Sequence, residues 1–142
     1  MSDSPNSPVG PVLVVGGAGY IGSHTVRLLQ ARGVETIVVD NLSTGHRSAV
    51  TATLETVDIG DTEAINSVFA KYKPRSVIHF AAKCYVGESV ENPSKYYLEN
   101  VSYTWNLLEA MRAAECREIV FSSTCATKIS LISFCVAKCS FP

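Results

Sequence analysis

Between Val12 and Ser122 the chain alternates short runs of apolar, mostly β-branched residues with stretches in which apolar side chains recur every three or four positions. That alternation predicts βαβ units around a parallel sheet, because a strand covered by helices on both faces stays apolar along its length. Five strands are expected, over Val12 to Val15, Thr36 to Asp40, Glu55 to Asp58, Ser76 to Ala81 and Glu118 to Ser122. A first helix covers Ser23 to Arg32 and ends at Gly33, a natural C-terminal cap. In a second helix Asp61 is the N-cap, Ile65, Val68, Phe69 and Tyr72 share one face, and Pro74 stops it. The longest helix is expected from about Pro93, a residue suited to a first turn, to Ala114, with Tyr97, Val101, Leu108 and Met111 as its buried stripe. Trp105 and the tyrosines of this helix read mostly as core. Residues 1–11 are rich in Ser and Pro and read as a disordered arm.

Composition narrows the class. With 142 residues, 46% hydrophobic and 18% charged, the chain fits one ordinary globular domain. Its 12 basic and 13 acidic side chains are spread along the sequence and leave a net charge of −1, so nucleic acid and membrane surfaces are not expected partners. No apolar run approaches the roughly 18 residues of a membrane span. Five cysteines, an odd number without a CxxC pair or an apolar leader before them, read as reduced thiols of a cytoplasmic protein. His24, His46 and His79 have no spacing that would build a metal site, and no metal is expected. His79 inside SVIHFAA reads as a hydrogen-bonded strand histidine. Nothing in the sequence sets two of Glu88, Glu91 and Glu99 across a substrate as an acid and base.

The segment VLVVGGAGYIGSH joins the first strand to the first helix and spaces Gly16, Gly19 and Gly22 as GxxGxxG. A dinucleotide pyrophosphate sits against the exposed amides of a helix N-terminus, so the chain there must turn tightly and carry no side chain where backbone meets phosphate. The same glycines would also suit a tight turn with no ligand. Asp40, at the end of the second strand and 18 residues after Gly22, favours the dinucleotide. Its carboxylate can accept hydrogen bonds from ribose hydroxyls and would repel an added 2′-phosphate, so NAD is expected over NADP. Arg47, seven residues further on, reads as a solvated surface charge.

The stretches GGAGYIGSH, VVDNLSTGHR, VIHFAA, VGESVENPSKYY and FSST, in this order, resemble the UDP-glucose 4-epimerases, which are extended short-chain dehydrogenase/reductases. The likeness covers roughly Val12 to Ala126. VGES, Pro93 and the pair Tyr96 and Tyr97 favour the epimerases over the related sugar-nucleotide dehydratases and decarboxylases. The resemblance implies an α/β Rossmann-type doubly wound parallel sheet, here truncated at about five strands in the order 3-2-1-4-5. It implies Tyr20 and Ile21 flanking the pyrophosphate, and Asp40, Asn41, Ser43, Thr44 and Gly45 around the adenosine ribose. Asp58 and Ile59 would lie at the adenine, Phe80, Ala81 and Ala82 under the cofactor's centre, and Asn100 would hold backbone near the nicotinamide half. The family's lysine after the fourth strand falls where this chain has Cys84, with Lys83 one place earlier. Thr124 takes the place of the catalytic Ser or Thr whose hydroxyl bonds the sugar's 4-oxygen; from the residues alone an ordinary polar strand exit fits equally well. A UDP-sugar is the implied substrate, and a homodimer through the 93–114 helix the implied assembly.

In that family a tyrosine in a YxxxK motif takes the proton of the sugar's 4-hydroxyl, and the lysine one helical turn on favours the phenolate. None of the six tyrosines here has a lysine four places later. The likeness gives way at Ala126 or Thr127 to KISLISFCVAKCSFP, so residues 12–127 are expected to form the NAD-binding domain and 128–142 a divergent tail. A frameshift, retained intron or alternative exon produces such a break; a short divergent protein is the alternative. The chain is expected to be the cofactor-binding half of an NAD-dependent isomerase that interconverts UDP-galactose and UDP-glucose, inactive as it stands; the alternatives are a catalytically silent module that holds NAD or pairs with a complete subunit, and another NAD-dependent sugar-nucleotide dehydratase or decarboxylase. Its strand Glu118 to Ser122 is expected to be an open edge that promotes association.

Overall fold

The computed structural model describes residues 10–123 and 135–140, with only the backbone described for 123 and 135–140. Thr124 and most of the tail therefore lie outside the described residues. The sheet holds β1 (Val12–Val15), β2 (Thr36–Asp40), β3 (Thr53–Thr56), β4 (Ser76–His79), β5 (Glu118–Ser123) and β6 (Cys135–Ser140), in the order β3-β2-β1-β4-β5-β6. The first five strands pair in parallel, which is the expected order 3-2-1-4-5. Helices α1 (Tyr20–Ala31), α2 (Thr62–Tyr72), α3 (Val86–Glu91), α4 (Pro93–Tyr97) and α5 (Tyr103–Ala113) connect them.

The continuous apolar strands are explained by burial on both faces. In β1, Leu13 and Val15 pack with Ile65, Phe69, Leu107 and Met111 of α2 and α5, while Val12 and Val14 pack with Val26 of α1 on the other face. Successive side chains of a strand point to opposite faces, so one short strand serves two cores. The second helix forms as its caps dictate. The Asp61 side chain accepts the Ala64 N–H at 3.0 Å, and Lys73 closes the helix in the left-handed region at φ 47°, just ahead of Pro74.

Five expectations need correction, the first being the fourth strand, which ends at His79 and not Ala81. The third strand begins two residues early, because its register sets Ile37 against Thr53 and Asp40 against Thr56. Val57 and Asp58 have then already left the sheet. The first helix begins at Tyr20, inside the glycine segment, since Gly19 is its N-cap. The stripe of the long helix is also different: Tyr97 and Val101 are 71% and 58% exposed, and so is Trp105 at 61%, whereas Leu107, Ala110 and Met111 are buried. A wide π turn over Leu98–Ser102 separates α4 from α5. One extra residue in a turn rotates everything before it away from the face that follows, so a single 3.6-residue count cannot span the segment. Finally, β5 is not an open edge. β6 pairs with it antiparallel, from Glu118 against Ser140 to Ser123 against Cys135.

His79 ends β4 almost wholly buried, with Nε2 3.2 Å from the Thr104 hydroxyl and its ring 5.3 Å from that of Phe121. Burial pushes its pKa from the ordinary 6.5 down to about 4. Between those two values the unfolded chain binds a proton there and the folded chain does not. Stability should therefore fall as pH drops from 6.5 toward 4, by up to about 3 kcal/mol from this group. Urea unfolding of the parent and of His79→Gln at pH 7, 6 and 5 should show the steeper acid loss in the parent, and parallel losses would refute the assignment.

Candidate functional site

A cleft opens at the carboxyl ends of β1, β2 and β4, where open parallel sheets place ligands. Gly16 and Gly19 form its floor, Asp40, Asn41, Ser43 and Thr44 one polar wall, and Ile59, Phe80, Ala81 and Ala82 continue round it. The expected residues Gly16, Gly19, Asp40, Asn41, Ser43, Thr44, Asp58, Ile59, Phe80, Ala81 and Ala82 thus meet at one place.

The glycines have different reasons. Gly16 adopts φ +81°, and a Cβ on it would lie 2.6 Å from the Ala81 nitrogen. A Cβ on Gly22 would lie 2.2 Å from the Gly16 carbonyl oxygen, so the first turn of α1 can approach the loop only as glycine. Gly19 is free of such constraint. Its φ is −75°, and its Cβ would meet nothing nearer than Gly16 O at 3.4 Å. No backbone contact forces glycine at 19, where it also serves as an ordinary N-cap, whereas a ligand lying against the loop would leave no room for a side chain. Helix α1 also begins with neither a side-chain cap nor an acidic residue in its first turn, which leaves its N-terminus suited to an anion.

Asp40 joins this loop to the wall. Its Oδ2 accepts the Ala18 N–H at 2.9 Å and its Oδ1 the Leu42 N–H at 2.8 Å, while the His46 N–H donates to Ala18 O at 3.0 Å. A carboxylate has about four acceptor sites, so both oxygens retain capacity for ligand hydroxyls. The wall continues through Asn41, whose Oδ1 accepts the Ser43 N–H at 3.0 Å and whose Nδ2 donates to Asp58 Oδ2 at 2.7 Å. Asp58 Oδ1 in turn accepts the Gly60 N–H at 2.7 Å.

The other expected residues stand outside the cleft lining. Tyr20 and Ile21 lie on the first turn of α1, 82% and 44% exposed. Gly22 lies beneath the loop, and Gly45 is pressed against Ala18 and Asp40, where a Cβ would come within 2.7 Å of the Ala18 methyl group. Asn100, in the π turn, accepts the Lys83 N–H at 2.8 Å and donates to Lys83 O at 2.9 Å. Sequence reasoning gave no cleft role to Tyr85, Glu99 or Tyr103 and left the lysine position at Lys83 and Cys84 without an assigned contact; all five line the cleft. Tyr103 lies three residues after Asn100 and four after Glu99, spacings that signal a shared face. The half-buried Lys83 ammonium lies 3.7 Å from Glu99 Oε2, the single ion pair of this rim among the described residues.

Beside the cleft, Glu88 joins α3 to α4. Its Oε1 accepts from Lys95 Nζ at 2.6 Å and its Oε2 from the Tyr96 hydroxyl at 2.9 Å. Desolvation, and then the Glu88 carboxylate, push the Tyr96 phenol up to about 12, so it stays protonated at neutral pH. Among the described residues, no group of three or more His, Cys, Asp or Glu side chains is placed to hold a metal, and no helix is long and apolar enough to cross a membrane.

Comparison with known proteins agrees with this geometry. Residues 12–128 match the NAD dependent epimerase/dehydratase family. The chain is 52% identical over 117 residues to a UDP-glucose 4-epimerase of Rhizobium meliloti (strain 1021), over 82% of this chain and 36% of that protein. It is 48% identical over 117 residues to a UDP-glucose 4-epimerase of Halalkalibacterium halodurans, over 82% of this chain and 35% of that protein. Among solved structures, the UDP-glucose 4-epimerase of Brucella ovis in complex with NAD superposes with a TM-score of 0.81 at 52% identity, covering 84% of this chain and 37% of that one. The chain therefore spans about a third of the length of these relatives.

The two glycines should separate in stability. Gly22→Ala should lose at least about 3 kcal/mol or fail to fold, because its methyl group meets backbone. Gly19→Ala should stay within about 1 kcal/mol of the parent. Equal losses in urea unfolding would contradict the assignment of Gly19 to ligand contact.

Proposed function

Because the chain belongs to the NAD dependent epimerase/dehydratase family, we propose that its cleft binds NAD and that it supplies the cofactor-holding part of a UDP-glucose 4-epimerase. The proposed reaction interconverts UDP-galactose and UDP-glucose in the cytoplasm. The single observation that carries the reading is Gly19, a glycine that no backbone contact forces, at a helix N-terminus beside a carboxylate. Epimerisation at a sugar's 4-carbon needs hydride taken up and returned, which is the chemistry NAD supplies when bound.

The residues divide the work of holding it. The amides at the start of α1 take the pyrophosphate, with Gly16 and Gly19 letting it approach. Asp40 accepts the ribose hydroxyls with the lone pairs that Ala18 and Leu42 leave, and its charge repels a 2′-phosphate. Asn100 fixes the backbone at Lys83, the cation on the far rim. Thr124, the residue after β5, would bond the sugar's 4-oxygen. The exposed Tyr97, Val101 and Trp105, four residues apart in turn, are the face proposed to pair two subunits.

Proton transfer has no candidate base in these 142 residues. No tyrosine precedes a lysine by four, and Tyr96 is held protonated by desolvation and the Glu88 carboxylate. A second reading is that these 142 residues by themselves bind NAD without turning over sugar. Isothermal titration should show NAD binding with NADP weaker by about tenfold or more, in line with charge repulsion at Asp40. Gly19→Val should abolish NAD binding while the fold persists. A coupled UDP-galactose assay on the 142-residue chain should show no turnover, and turnover at an ordinary enzyme's rate would favour the first reading over the second. A chain that folds yet ignores NAD would sink both.

A further inference from the structure

We propose that Tyr103 stacks on the nucleobase at the outer end of the cleft, a reading that rests on the dinucleotide site above. The direction of the ligand follows from topology. With phosphates at the start of α1 and a ribose at Asp40, the next group outward lies on the β3 side of β2, over the segment that leaves β3. There the lining changes character. Instead of the polar Asn41, Ser43 and Thr44, the cleft is walled by Val57, Ile59 and Tyr103, all part of or packed against the core under α2 and α5.

Tyr103 opens α5, and its ring lies across the bare backbone of Gly60. A Cβ on Gly60 would fall 2.5 Å from Cζ and 2.6 and 2.7 Å from the two Cε atoms. The loop beneath is held from both sides, by Asp58 Oδ1 on the Gly60 N–H at 2.7 Å and by Asn106 Nδ2 on Gly60 O at 3.2 Å. Asn106 is three residues beyond Tyr103 on the same helix, so one element fixes both ring and loop. A half-buried aromatic ring held in place, with aliphatic neighbours, offers a surface to a flat π-system that the polar wall lacks. The proposed dinucleotide puts its adenine at that end of the cleft, beside Asp58 and Ile59, and the geometry makes Tyr103 the ring on which it stacks. Gly60 is then glycine because the ring needs its space.

The test compares NAD, AMP and nicotinamide mononucleotide by calorimetry on the 142-residue chain and on Tyr103→Phe and Tyr103→Leu. Loss of the ring should weaken NAD and AMP about tenfold, the scale of a lost base–aromatic contact. Nicotinamide mononucleotide should bind Tyr103→Leu within about twofold of the parent, and Tyr103→Phe should resemble the parent for all three ligands. Unchanged NAD and AMP binding in Tyr103→Leu, or equal weakening of all three ligands, overturns the assignment while the dinucleotide reading stands. A parent that does not bind NAD overturns both. Should Tyr103→Leu not fold, transferred Overhauser contacts in the parent decide: purine H2 or H8 close to the Tyr103 ring protons is expected, and a bound purine that touches none of them refutes it.

Discussion

The approach of the first turn of α1 to the Gly16 carbonyl is the constraint on which the rest depends. There is no room for a carbon atom between Gly22 and that oxygen, and Gly16 itself sits in a left-handed turn against Ala81. This contact fixes the angle at which α1 leaves β1. It thereby sets where the helix N-terminus points, how Val26 reaches Val12, Val14 and Val38, and which edge of the sheet becomes a cleft. Gly19, by contrast, contributes nothing to that packing. A segment of three evenly spaced glycines thus holds two positions that backbone contacts reserve for glycine and one that they leave open.

Around this contact the cleft is assembled from strand ends tied to one another by short polar bonds. Asp40 holds the loop at Ala18, Asn41 reaches Asp58, Asp58 holds Gly60, and Gly60 is covered by Tyr103 and bonded by Asn106. The path runs from β2 across β3 to α5, so residues far apart in sequence share one rigid rim. Satisfied networks of this kind orient their members, because each lost partner would leave a polar group without a bond in a partly desolvated place. The rim's other side depends on the π turn. Its wider winding carries Asn100 to the backbone of Lys83, and it also turns Tyr97 and Val101 outward.

The strands β1 and β2 were legible residue for residue, because a strand with two buried faces is apolar throughout and its flanks are not. The cap at Asp61 and the stop before Pro74 were legible for local reasons of hydrogen bonding and sterics. The third strand was displaced because its bounds come from pairing with β2 rather than from its own composition, and Thr53 looks no more like a strand than a loop. The outer helix misled because a π turn leaves no local mark in a sequence read with a 3.6-residue period. The site divided in the same way. Glycines and an acid at strand ends carry their chemistry locally, whereas Glu99 and Tyr103 acquire theirs only from the helical segment that brings them to the rim, and Lys83 from its tie to that segment through Asn100.

By itself the sequence determined a parallel α/β sheet, a glycine segment opening a helix, and a carboxylate one strand away. Each of these is a local demand of backbone conformation, burial or charge that neighbouring residues announce. Only the tertiary structure decided that β6 pairs with β5, that His79 is buried as a neutral ring, that Asp40 holds the glycine loop as well as facing the cleft, and that an aromatic ring lies over Gly60. Those features are contacts between segments tens of residues apart. No periodicity or spacing within one segment records which surface another will meet.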